Sequence, residues 1–284
     1  MASTVECDVR GIPVFYEEVG TGRPLLLLHG WPGDHHLTSY AMEPILAQRA
    51  GWRRLYPDLP GMGKTPGADW ITTQDDMLAV VLGFLDAVAP GERVVVVGSS
   101  YGGFLARGVL HERMAQMDGL MLWAPSVSSA DGERHLPPPR TLVRDPGVLA
   151  TLAPDEALWT RAAVVQTAET LAAFRASVKP GLQAADVAFL ERLESAGFVF
   201  SFTVDELSEP FPAPTLILTG RQDSMVGYRD AWGLLESYPR ATFVTLDRSG
   251  HALAEEQKTL FRAMLFRAMM NEWLDRIEEY TKSR

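Results

Sequence analysis

Four consecutive valines, Val94-Val95-Val96-Val97, run without a break into Gly98-Ser99-Ser100-Tyr101-Gly102, and the stretch Phe104-Leu105-Ala106-Arg107-Gly108-Val109-Leu110 comes at once after them. A short apolar run with no polar alternation suits a strand covered on both faces, as in the middle of a parallel sheet. The 104–110 stretch has helical character, so the chain must change from strand to helix within a few residues. Glycines stand on either side of that turn, where a side chain would not fit, and a serine stands at its apex. The order strand, tight turn, helix restricts the chain to folds in which helices cover both faces of a sheet.

The remainder of the first half agrees. Val14-Phe15-Tyr16-Glu17-Glu18 reads as a short strand after a turn at Gly11, Leu25-Leu26-Leu27-Leu28 as a second buried strand, and Arg54-Leu55-Tyr56 as a third. Thr72 or Thr73 can cap a helix in which Met77, Val80, Val81, Phe84, Leu85 and Val88 recur at helical spacing before Pro90-Gly91 ends it. Gly119-Leu120-Met121-Leu122-Trp123 is the next strand. From residue 126 to residue 212 the pattern changes. Pro137-Pro138-Pro139 reads as an extended linker, Pro154-Asp155-Glu156 as a helix start, and 158–176 and 185–193 carry helical spacing, with no convincing buried strand. Strand character returns at Thr215-Leu216-Ile217-Leu218-Thr219 and Thr242-Phe243-Val244-Thr245-Leu246. A closing helix is expected over 255–280, with Phe261, Met264, Leu265, Met269, Trp273 and Ile277 on its apolar side. The simplest organisation is a sheet domain made of residues 1–125 and 213–284, interrupted by a helical insertion far longer than an ordinary loop.

Composition bounds the function. The 284 residues are 46% hydrophobic and 22% charged, as in an ordinary globular protein, and no apolar run is long enough to cross a bilayer. The N-terminus has neither a basic start nor an apolar core, and the single cysteine, Cys7, permits no intrachain disulfide, so cytoplasmic residence is the expectation. A net charge of −10 argues against nucleic acid and leans against a strongly anionic substrate, although local fields can overrule net charge. Neither a membrane partner nor a metal or organic cofactor is expected, Cys7 and the scattered histidines showing no ligand cluster. Oligomeric state is not legible.

The apex serine, Ser100, stands where an attacking oxygen could be lifted clear of the sheet, in the G-x-S-x-G arrangement called a nucleophile elbow. A serine hydroxyl needs a base, and histidine is suited to the task because it titrates near neutrality. Of six histidines, His251 lies in Arg248-Ser249-Gly250-His251-Ala252, between the last strand and the last helix. A carboxylate must fix the tautomer of such a base. Asp223, just after the strand ending at Thr219, is the first candidate; Asp247 is its main rival, and Asp131 is the nearest acid after the Trp123 strand. An oxyanion would require two donors, for which the backbone amides of Tyr101 and Trp31 are expected. Pro32 has no N–H to give. His29 is read as pinning its loop. Trp31, Tyr101, Trp123 and Trp159 are the candidates for the wall of a largely apolar substrate pocket. Phe174, Phe189, Phe198, Phe200 and Phe202 are as readily explained by packing of the insertion onto the sheet domain.

Five segments together carry a resemblance: His29-Gly30-Trp31-Pro32-Gly33, Asp58-Leu59-Pro60-Gly61-Met62-Gly63, the Ser100 pentapeptide, the Asp223 loop and the Gly250-His251 pair. In that order they resemble the α/β-hydrolase superfamily over nearly the whole chain. The resemblance implies a mostly parallel sheet of about eight strands with helices on both faces, a helical cap inserted after the sixth strand, and a structural role for Asp58. The form of the first segment resembles epoxide hydrolases and haloalkane dehalogenases, which use an aspartate nucleophile where this chain has Ser100. That departure favours a serine esterase, lactonase or carbon–carbon bond hydrolase, and the first reading is an esterase or lactonase acting on a small, largely apolar carbonyl compound. A carbon–carbon bond hydrolase, an aminopeptidase-like amidase and a non-catalytic small-molecule receptor are the alternatives.

Overall fold

The structure is a computed structural model describing residues 2–127, 134–257 and 265–284. Its ten strands are β1 (Ala2–Val9), β2 (Ile12–Val19), β3 (Arg23–Leu28), β4 (Trp52–Pro57), β5 (Val94–Ser99), β6 (Met117–Trp123), β7 (Val143–Arg144), β8 (Val165–Gln166), β9 (Thr215–Gly220) and β10 (Ala241–Leu246). Eight of them form one sheet in the order β1-β2-β4-β3-β5-β6-β9-β10. The β1–β2 and β2–β4 pairs are antiparallel; every later neighbour pair is parallel. The N-terminal strand β1 has no counterpart in the sequence reading. It lies at the sheet edge with most side chains exposed, so it lacks the apolar run that marks the inner strands. Arg10 and Gly11, at φ 54° and 85°, make the two-residue turn that joins it to β2.

The inner strands follow from their side-chain alternation. Leu26, Leu28, Val94 and Val96 enter one core layer, with Met77, Val81 and Phe84 of α2 (Gln74–Val88) and Leu105 and Val109 of α3 (Tyr101–Arg113). Leu25, Leu27, Val95 and Val97 enter the opposite layer, with Met42 and Ile45 of α1 (His35–Leu46) and Trp273 and Ile277 of the closing helix Leu265–Lys282. Burying each such side chain contributes about 1.5–3 kcal/mol, so a strand apolar on both faces is stable only between two helical layers. Helix α2 begins at a capping box in which the Thr73 hydroxyl and the Asp76 carboxylate each accept from the other's backbone N–H. The expected helix 255–280 is in fact a short helical turn, Leu253–Glu256, and the long closing helix; Phe261 and Met264 lie outside the described residues.

Between β6 and β9 the described chain adds no strand to the main sheet. It forms the short helices α4 (Pro146–Leu149), α5 (Ala157–Ala162), α6 (Ala168–Ser177), α7 (Lys179–Ala184) and α8 (Val187–Ser195). The stretch 158–176, expected as helical throughout, is broken where Val165 and Gln166 pair with Val143 and Arg144. That small pair is not legible as a strand because two residues carry no periodicity. The segment is held to the sheet by α3. Arg107, 1% exposed, donates to both Asp205 oxygens at 2.9 and 3.1 Å and to the carbonyls of Ser126 and Val127, so one side chain gathers both ends of the insertion. Phe104, Phe200, Phe202 and His111 stack in a row beside it. No helix among the described residues is long and apolar enough to cross a membrane.

Candidate active site

Ser100 sits between the end of β5 and the start of α3 with φ 52° and ψ −113°, a backbone region that L residues rarely occupy and that costs about 1–3 kcal/mol. Four hydrogen bonds hold it there. Its N–H donates to the Trp123 carbonyl at 2.9 Å, and its own carbonyl accepts from Gly103, Ser126 and Phe104. The flanking glycines are required by contact. A Cβ on Gly98 would lie 2.2 Å from the Gly102 carbonyl oxygen, and one on Gly102 would lie 2.2 Å from that of Leu28. Strand, turn and helix meet here at backbone distance, which leaves Ser100 as the side chain that projects.

Parallel strands β9 and β10 bring the other two groups to the same sheet edge. Their following loops are joined through Gln222, whose N–H donates to the Ser249 carbonyl and whose side chain accepts from the Ser249 N–H and donates to Asp247. Gly220 allows the approach, since a Cβ there would stand 2.3 Å from the Gly250 carbonyl oxygen. As a result His251 Nδ1 is 2.8 Å from Asp223 Oδ2, and Nε2 is 3.0 Å from Ser100 Oγ. Asp223 is fully buried, and its other oxygen accepts from the Met225 and Val226 amides at 2.9 and 3.1 Å. Burial works against a cationic His251, but the charge of Asp223 and its hydrogen bond outweigh it, and the imidazole pKa is raised. Among the described residues no acceptor takes the amide of Trp31 or of Tyr101, the two expected oxyanion donors. Asp247 instead faces Gln222, whose hydrogen bond lowers its carboxyl, and it makes no bond to His251; Asp131 lies outside the described residues.

A strand-turn-helix serine, a buried aspartate and a histidine in chain order Ser, Asp, His, at the edge of a mostly parallel eight-stranded sheet, point to one family. The alpha/beta hydrolase family profile matches residues 25–263. This chain belongs to the alpha/beta hydrolase family and is a hydrolase. It is 26% identical over 263 residues (90% of this chain, 87% of the relative) to a 2-hydroxy-6-oxo-6-(2'-aminophenyl)hexa-2,4-dienoic acid hydrolase of Metapseudomonas resinovorans. It is 28% identical over 254 residues (84% and 92%) to a pimeloyl-[acyl-carrier protein] methyl ester esterase of Aeromonas hydrophila subsp. hydrophila. In fold it is similar to a crystal structure of an alpha/beta superfamily hydrolase from Oenococcus oeni, with TM-score 0.82 and 24% identity, covering 93% of this chain and 96% of that one.

A narrow cavity of about 60 Å³ opens on Ser100 and His251 in this alpha/beta hydrolase. Its walls include Trp31, Trp123, Leu158, Phe174, Val178 and Met225. Two expected wall residues are elsewhere. Trp159 is fully buried in a cluster with Leu171 and the wall residue Phe174 without lining the cavity itself, and the Tyr101 side chain points away to donate to Gln74 Oε1 at 2.6 Å. Both are aromatic and close in sequence to pocket residues, but the direction of a side chain on a helix is not fixed by its neighbours' roles. Phe189 packs against Gly61 and Gly67, while Phe198 packs edge-on against Trp31 and Tyr101. His29 is buried and neutral by burial; its Nδ1 donates to the Gly30 carbonyl and its Nε2 accepts from the Leu59 N–H, which pins the loop under Trp31. Asp58 accepts from the His35 N–H and ring and from the Lys64 N–H, consistent with a structural turn. No ligand cluster is expected from the sequence, but Asp34, His35 and His36 bring three possible ligand atoms within 4.8 Å of one another. The Nδ1 atoms of both histidines are already bonded to Asp58 and Asp34.

One group near the site is not visible from sequence. Glu256 accepts from the amides of Gly250, Val164 and Val165, so it ties the turn preceding His251 to the insertion. The His251 and Ala252 amides both donate to the Ala162 carbonyl beside it. The available signal is the acidic pair Glu255-Glu256 directly after the His251 loop, which reads equally well as a helix start with favourable dipole charges.

Proposed function

We propose that this alpha/beta hydrolase is a serine hydrolase that cleaves a carboxylester or lactone through an acyl-enzyme. The observation carrying this reading is the continuous bonded chain from Ser100 through His251 to buried Asp223, facing an apolar cavity. Asp223 holds the Nδ1–H tautomer, so Nε2 can take the Ser100 proton as the hydroxyl oxygen attacks the carbonyl carbon. The resulting imidazolium is paired with Asp223. The Tyr101 and Trp31 amides, with the N-terminus of α3, face the developing oxyanion. His251 then returns the proton to the leaving alcohol, and water activated by the same base releases the acyl group. Residues 126–212 act as a cap on a core formed by residues 1–125 and 213–284. Phe174, Leu158 and Val178 of that cap set the acyl preference, and the small cavity favours short, largely apolar acyl groups.

Labelling with a fluorophosphonate probe tests this directly. The parent should label and turn over a short p-nitrophenyl ester, and Ser100→Ala should do neither. An equal rate in Ser100→Ala rejects the reading; tight ligand binding by a folded protein that resists the probe favours a receptor.

Carbon–carbon bond hydrolysis is the second reading, favoured by the likeness to a dienoic acid hydrolase over most of both chains. Parallel kcat/KM measurements on a short ester and on a 2-hydroxy-6-oxo-dienoate separate the two.

A further inference from the structure

A second cleft lies across Met225 from the Ser100 cavity. It is larger, about 610 Å³, and its lining includes Arg134, Arg140, Arg161, Thr160 and Ser224. Three guanidinium groups and the hydroxyls of Thr141, Thr160 and Ser224 line it together, and no carboxylate does so among the described residues. That is unexpected on a chain with net charge −10. Arg140 and Arg161 form no ion pair among the described residues, whereas most arginines of the core are matched to Asp or Glu. Arg134 donates to the Met225 carbonyl at 3.3 Å, which holds it at the rim.

The two cavities are built from the same pieces. Met225 lines both, on the loop that starts at Asp223. On helix α5, Leu158 and Ala162 face the Ser100 cavity while Thr160 and Arg161 face the cleft. A molecule bound in one therefore lies a single side chain from the other.

We propose that this cleft binds an anionic group, carboxylate or phosphate, on the leaving-group portion of the substrate while the short acyl portion occupies the Ser100 cavity. The inference rests on the serine hydrolase reading and specifies its substrate class as an apolar acyl group joined to an anionic alcohol or thiol. Guanidinium groups match the planar, multi-oxygen geometry of both anions, and a local basic field overrides the overall negative charge.

The test compares 7-acetoxycoumarin, which is neutral, with its carboxylate-bearing and phosphate-bearing analogues on the parent and on an Arg140→Gln/Arg161→Gln variant. Both arginines are exposed, so the variant should fold, and Arg140→Lys/Arg161→Lys serves as the charge-retaining control. The parent should favour at least one anionic ester by about tenfold or more in kcat/KM, the size expected of charge-assisted hydrogen bonds. The Gln variant should lose that preference through KM, leave the neutral ester unchanged, and the Lys variant should recover part of it. Which anionic ester wins identifies the group. Equal rates on all three esters in the parent, or a preference that survives in the Gln variant, overturns the proposal. Fluorescence binding of 7-hydroxycoumarin-3-carboxylate and of its phosphate-bearing counterpart to Ser100→Ala, with and without the two arginines, is independent of turnover. Arginine-dependent binding without esterase activity in the parent would retain the cleft and reject the ester-cleaving reading; no arginine-dependent binding of either rejects the cleft.

Discussion

The sheet edge and the insertion are assembled by different physics. Around Ser100 the geometry is enforced by backbone contact: glycines at 98 and 102 whose missing Cβ atoms would overlap carbonyls, and a Ser100 backbone held by four main-chain hydrogen bonds. Every one of these devices is local to the ends of adjacent parallel strands. The insertion has helices of only four to ten residues, too short to be stable alone, and relies on distant partners. Glu156, buried, binds Arg175 and Lys179, and its pKa is strongly lowered, first by the Arg175 hydrogen bond. Arg107 closes the base of the segment. The comparison teaches that the Ser100 turn is fixed by backbone contact, while the insertion, where the proposed function places substrate choice, is held by individual side-chain contacts.

The largest test of that division is at the core. Ser100→Ala should lower kcat by about 10⁶-fold with little change in thermal stability, since members of such a unit act together. Asp223→Asn should lower it by about 10⁴-fold, because the tautomer is no longer fixed. Asp247→Asn should stay near the parent value in the same ester assay. A large loss in Asp247→Asn with a near-normal Asp223→Asn would reassign the acid and break the geometric argument for the core.

Next in size is the join between the two regions. Arg107→Ala removes the buried cation that gathers residues 126, 127 and 205, at a cost of about 3–5 kcal/mol. If the regions are separable, limited proteolysis should then cut preferentially within 126–212, ester KM should rise, and fluorophosphonate labelling of Ser100 should persist. Labelling lost in step with folding would mean that the insertion and the sheet edge stand or fall together.

The same division decides which parts of the molecule are legible in the sequence. The strands β3, β5, β6 and β9 are legible because both their faces are buried, and Ser100, Asp223 and His251 because each comes soon after a strand. β1 is not, because an edge strand can be polar throughout, and the β7–β8 pair is not, because two residues make no pattern. In the insertion the helical character is visible, but not which aromatic faces the cavity: Phe174 does and Trp159 does not, a matter of how each short helix is turned by its tertiary contacts. Glu256 is hidden for a related reason. Its partners are backbone amides, which no sequence pattern records.

Glu256 also offers the smallest and most diagnostic test, because it belongs to both regions. Burial raises its carboxyl from 4.5 to about 7 despite the opposing amides of Val165, Gly250 and Val164. Between those values the folded chain keeps a proton that the unfolded chain has released, so stability should fall as pH rises from about 4.5 through about 7. Glu256→Gln should abolish that part of the slope and, by leaving at least one buried amide without its acceptor, cost about 1–3 kcal/mol. Its charge joins those of Asp223 and Glu255 in raising the His251 pKa, and His251 must be neutral to accept the Ser100 proton. Activity therefore falls as pH drops through that raised value, and in Glu256→Gln the acid limb of kcat/KM should move to lower pH, by less than in Asp223→Asn. Paired pH–rate and pH–Tm curves check both signs. A limb that stays in place while Tm falls would leave Glu256 as a tie between the two regions with no electrical influence on the base; a limb that moves with an unchanged Tm would make it the reverse.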